Sequence, residues 1–72
     1  MKLTYYSETD SLYIELSSAA SIDSKEVSDG IVIDYDSSGK ITGIDIDCAS
    51  EILDLGELVM RHLPIQKQAI SA

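Results

Sequence analysis

The chain has 72 residues, 44% of them hydrophobic and 25% charged, a composition that speaks against disorder and fits one small domain. Thirteen Asp and Glu stand against five Lys and Arg, a formal charge of -8. That excess disfavours nucleic acid and anionic membranes as direct partners, because both are gripped by Lys and Arg.

Lys2-Leu3-Thr4-Tyr5-Tyr6 alternates, with Leu3 and Tyr5 on one side, and reads as a strand. Ser7-Glu8-Thr9-Asp10 is a polar turn. Ser11 to Leu16 sets Leu12, Ile14 and Leu16 against Ser11, Tyr13 and Glu15, the mark of a half-buried strand hairpinned to the first. Ser17 to Ser21 is a loop. Ile22 to Ser28 has only two clear apolar residues, Ile22 and Val27, of opposite parity, and reads as a bulged edge strand. Asp29-Gly30 turns the chain into a strand over Ile31–Asp36. Ser37-Ser38-Gly39-Lys40 turns it again into Ile41–Asp47. Ile31, Ile33 and Tyr35 want the same face as Ile44 and Ile46. Odd positions must therefore lie beside even ones. An even-length loop achieves this, or a glycine-closed three-residue loop with a second, compensating bulge.

The period changes after Asp47. Ile52, Leu55, Gly56, Val59 and Leu63 fall at helical spacing. Asp54 with Glu57 reads as a capping box for a helix over Leu55–His62, preceded by one turn at Ala49–Leu53. Gly56 weakens this helix and Pro64 stops it. The expected fold is α+β: a five-stranded antiparallel β-meander packed against one or two short C-terminal helices. The helical segment should cover Leu12, Ile14, Ile33 and Ile44. Residues 1–63 form a single α+β domain and 64–72 a flexible C-terminal tail.

With Trp and Phe absent, the core must come from ten Ile, seven Leu, three Val and some of the four Tyr. Such a core leaves little spare stability, and the apolar excess in the helical segment suits a homodimer. The lone Cys48 cannot form an internal disulfide, which fits a reducing, cytoplasmic setting, and no export signal opens the chain. No apolar run exceeds three residues, far short of a membrane helix.

The ordered set Leu3-Thr4-Tyr5, Asp10 to Leu16, Asp29 to Asp36, Gly39 to Ile46 and Ala49-Ser50 resembles a small prokaryotic family, the domain of unknown function 2283. The resemblance spans residues 1–50. Asp47-Cys48 departs from the family's usual Leu or Glu followed by Asp before the Ala-Ser pair. The family brings no established catalytic residues. Members encoded beside toxin-like ribonuclease domains imply an antitoxin role.

Residues 1–48 carry ten acids and three bases, a net of -7, and residues 49–72 a net of -1. The sharpest local pattern is Asp34-x-Asp36-x-Ser38-Gly39, with Asp45 at position twelve, which matches much of a calcium-loop template. An EF-hand needs flanking helices, however, and these flanks read as strands. A hairpin turn with Gly39 at positive φ is the plainer reading, and a calcium- or metal-binding domain the alternative. Asp34, Asp36, Asp45 and Asp47 should project together from the non-apolar face. With Tyr13 and Glu15 they form the candidate surface for a basic protein such as a toxin-like ribonuclease. Acid–base chemistry would need a partly dry pocket, so no enzyme, cofactor or catalytic residue is expected. His62 suits the end of the expected helix better than a metal site, since no second His or Cys completes one. Acid neighbours disfavour a Cys48 thiolate, and a buried structural thiol is expected. No nucleophile elbow or phosphate loop occurs.

Overall fold

The structure, a computed structural model, describes residues 1–71. Five strands form one antiparallel sheet: β1 (Lys2–Tyr6), β2 (Ser11–Glu15), β3 (Asp23–Ser28), β4 (Ile31–Tyr35) and β5 (Ile41–Ile46). One four-residue helix, α1 (Ala49–Ile52), follows. The fold is therefore mostly β.

The sheet order is β1-β2-β5-β4-β3, which corrects the expected meander. Strands β3, β4 and β5 do meander, but β2 pairs with β5 instead of β3. The apolar pattern explains the choice. Leu12 and Ile14 of β2 lie opposite Ile46 and Ile44 of β5, whose other neighbours are Ile31 and Ile33. The polar β3 could not fill that central place and takes the edge. The link from β2 to β3 passes the end of β5. Leu16 and Ser17 donate their N–H groups to the Thr42 carbonyl at 2.8 and 3.2 Å, and Ser21 Oγ meets Thr42 Oγ1 at 2.8 Å.

Parity is repaired as expected, by two bulges. The turn Ser37-Ser38-Gly39 closes between Asp36 and Lys40, with Gly39 at φ 80°. Tyr35 then lies opposite Ile41, Asp34 opposite Gly43 and Ile33 opposite Ile44, so Thr42 is the inserted residue. Thr42 is buried. The edge strand β3 is bulged too, at Val27, between the Glu26–Val32 and Ser28–Ile31 pairs.

The core is small. Among the described residues only Leu12, Ile46 and Ala49 are buried apolar residues, with Ile14, Ile31, Ile44 and Leu53 packed around them. Burying a Leu or Ile side chain contributes about 1.5–3 kcal/mol, so this core holds the sheet with little to spare.

The expected helix over Leu55–His62 does not form. The turn expected at Ala49–Leu53 is α1, and Leu53 after it is extended, with φ -114° and ψ 152°. Asp54 does not cap a helix; its Oδ1 accepts the Gly56 N–H at 3.3 Å in a local turn. With Gly56 in its first turn, eight residues cannot sustain a helix without packing. Leu58 and Val59 stay exposed. His62 has φ 57°, outside any helical turn. From beyond the strands, Ala49 and Leu53 pack at the Leu12–Ile46 end of the sheet. The radius of gyration, 13.1 Å, exceeds the roughly 11 Å of a compact chain of this length. The last residue of the expected tail, 72, lies outside the described residues. Among these, no helix is long and apolar enough to cross a membrane.

Candidate functional site

Opposed residues on paired strands share a face. One face carries Leu3 and Tyr5, Leu12 and Ile14, Ile44 and Ile46, and Ile31 and Ile33. The other carries Tyr13 and Glu15 of β2, Gly43 and Asp45 of β5, Val32 and Asp34 of β4, and Ser24 and Glu26 of β3. Four strand carboxylates share this second face. Lys2, its only strand base, stands 3.8 Å from Glu15.

Tyr13 organises the face. Its ring crosses Gly43 and its hydroxyl donates to Asp34 Oδ2 at 2.7 Å, while Ser24 Oγ donates to Asp34 Oδ1 at 2.6 Å. Four strands, β2, β5, β4 and β3, are spanned by one side-chain line. Gly43 is required beneath it. A Cβ there would sit 2.6 Å from Tyr13 Cζ and closer still to the hydroxyl. The bond to Asp34 pushes the Tyr13 phenol up to about 12, helped by partial burial and the charges of Asp34, Glu15 and Asp45. Partial burial raises the Asp45 carboxyl above its ordinary value, and Asp47 and Asp34 add repulsion.

The other candidates are placed differently. Asp36 turns its carboxylate into its own hairpin, where Oδ1 accepts the N–H groups of Ser38 at 2.8 Å and Lys40 at 3.0 Å. Asp47 lies past the end of β5, where Oδ1 accepts from Ser11 Oγ at 3.4 Å. Of the calcium-template residues, Asp34 is held by Tyr13 and Ser24, Asp36 by its turn, and Ser38 belongs to that turn. Among the described residues no three His, Cys, Asp or Glu side chains gather as a metal site.

Cys48 is exposed, which corrects the expected burial. Its backbone is left-handed, with φ 52°, at the N-cap of α1, and the next residue, Ala49, packs inward instead. Glu51 foremost, with partial desolvation, Asp10 and Asp47, pushes its thiol up, so the thiolate is disfavoured as the sequence suggests.

A second hydrogen-bonded carboxylate, Asp10, joins parts of the chain that local sequence patterns do not connect. Asp10, with φ 52°, ends the β1–β2 turn. Its carbonyl accepts the Ala49 N–H at 2.8 Å. Its Oδ1 accepts the Ser50 N–H at 3.1 Å and the Tyr5 hydroxyl at 2.8 Å, and its Oδ2 accepts Ser50 Oγ at 2.7 Å. These bonds, Ser50 first and Tyr5 second, hold the Asp10 carboxyl below its ordinary value. The same contact raises the Tyr5 phenol. Asp10 thus caps α1 from forty residues away in the chain. The Ala49-Ser50 pair is the other half of this joint; the sequence marks both halves, Asp10 in a polar turn and Ala49-Ser50 in the family resemblance, but not that they meet.

A small antiparallel sheet with an Asp-centred strand-to-helix joint defines the class of domain. The family described as "Protein of unknown function (DUF2283)" matches residues 2–50, and the chain belongs to that family. The match ends at Ser50, the last residue of the joint. No curated protein matches the chain, and no solved structure does.

Proposed function

We propose that this protein is a non-enzymatic interaction module whose acidic sheet face binds a basic protein. The observation that carries the reading is the placing of Glu15, Glu26, Asp34 and Asp45 on one face with Tyr13 fixed among them. An ordered, open carboxylate array favours a cationic surface by charge complementarity and speeds its encounter. Tyr13 and Val32 supply apolar contact at the centre. The arrangement suits recognition better than acid–base chemistry, because these carboxylates stand on the open face of a sheet, where water reaches them. An antitoxin acting on a toxin-like ribonuclease is one such role, and the surrounding medium is then the cytoplasm.

The test is co-expression with the product of the neighbouring gene. Copurification at low salt that weakens at high salt supports the reading. Glu15→Gln with Asp45→Asn should loosen it further. Failure to copurify at low salt removes its main support.

A further inference from the structure

The two edges of the sheet are built differently. The β3 edge is broken by the bulge at Val27 and carries Asp23, Lys25 and Glu26, features that stop another strand from adding. The β1 edge has no bulge and no carboxylate, and its one charge is Lys2 at the start of the strand. Its five residues pair with β2 in unbroken register. All five are exposed, and among the described residues no strand lies on its outer side. Strand β1 is also the one strand without a carboxylate, since Glu15, Asp23 with Glu26, Asp34 and Asp45 occupy the others. In a chain of charge -8, it is the strand a second copy can approach with least repulsion.

We propose that β1 pairs antiparallel with β1 of a second copy about a two-fold axis at Thr4, joining two sheets into one of ten strands. The side chains are self-complementary in this register. Leu3 faces Tyr5 of the other copy, twice, and continues the apolar face across the junction. Lys2 faces Tyr6, twice, an ammonium beside an aromatic ring. Thr4 faces Thr4. A slip of one residue would join the apolar face of one copy to the acidic face of the other. A slip of two would leave Tyr5 and Tyr6, or Lys2 and Leu3, without a partner strand. A closed two-fold pairing needs this self-complementarity. Both copies keep their acidic faces open to other partners. A five-residue strand pair is a small interface, so the dimer is concentration-dependent.

Sedimentation equilibrium of the full chain over a concentration series tests this. The mass should rise from 7.8 kDa towards twice that value. Thr4→Glu and Thr4→Lys each set like charges together on the axis, and each should weaken association at least about tenfold. An equimolar mixture of the two variants should restore it as a mixed dimer. Circular dichroism checks that each variant keeps its sheet, and either variant alone suffices for the test. A wild-type chain that stays monomeric up to millimolar concentration overturns the proposal. So does a dimer as tight in both variants as in the wild type.

Discussion

Two aspartates in this chain have nearly the same partners and opposite work. Asp10 accepts from Tyr5 and Ser50, and Asp34 accepts from Tyr13 and Ser24. Asp10 also accepts two backbone N–H groups, one on its carbonyl and one on its carboxylate, and so closes the strand-to-helix joint. The Asp34 carboxylate accepts from two side chains, Tyr13 and Ser24, and lies on the open face. One carboxylate is consumed by the fold. The other is positioned by the fold and left facing solvent. Tyr-Asp-Ser chemistry therefore does not define a site here. What surrounds it does, and the surroundings leave Asp34 and its neighbours on the open face that we propose for a partner.

Substitutions can sharpen the contrast. The largest effect should come from Gly43→Ala, which drives a methyl into the Tyr13 ring. A loss of about 1–3 kcal/mol is expected in urea unfolding. Tyr13→Ala in the same chain should recover part of that loss, and the non-additivity measures the contact. Asp10→Asn should come next, lowering the melting temperature by weakening the joint. The folded Asp10 carboxyl lies below its unfolded value, so its stabilisation is present above the unfolded pKa of about 3.9 and is lost as pH falls through the folded value. The stability gap between the wild type and Asp10→Asn should therefore be widest near neutral pH and close as the solution is acidified, because the variant has no carboxyl at this position to titrate.

Tyr13→Phe should cost about 1 kcal/mol, one hydrogen bond on a half-open face. It should also remove a phenol titrating at about 12 from the ultraviolet absorbance curve. The smallest effect is expected for Asp45→Asn. Its folded carboxyl is raised, so its contribution is full below the unfolded pKa and lost as pH rises through the folded one. Neutralising it should add up to about 0.5 kcal/mol at neutral pH, seen as a slight rise in urea midpoint. A fall would show that Asp45 holds the sheet together.

Much of this was legible in the sequence. Period-two alternation located four of the strands, because one buried face favours it, while β3, whose Ile22 and Val27 differ in parity, was legible only as a bulged edge strand. The parity of Ile33 against Ile44 called for an even loop or a compensating bulge, and the bulge is found at Thr42. The neighbours of β5 were not legible. Pairing between strands twenty-five or more residues apart leaves no local mark, and the even spacing of Leu12 and Ile14 suits several partners. The Asp10 joint was hidden for the same reason. Gly43 was a readable hint, since glycine amid isoleucines signals close approach. The helix at Leu55–His62 was over-read. Its spacing is helical, but Leu55, Leu58, Val59 and Leu63 all stay exposed, so burial does not stabilise it.

The central claim is that the acidic face, ordered by Tyr13 and Asp34, is where a basic protein binds. Amide shifts of the labelled chain, titrated at low salt with the product of the neighbouring gene, test it most directly. The account predicts shifts clustered at Tyr13, Glu15, Glu26, Asp34 and Asp45 that fade as salt is added. Shifts confined to β1 or to the apolar face, or none at all, would contradict it.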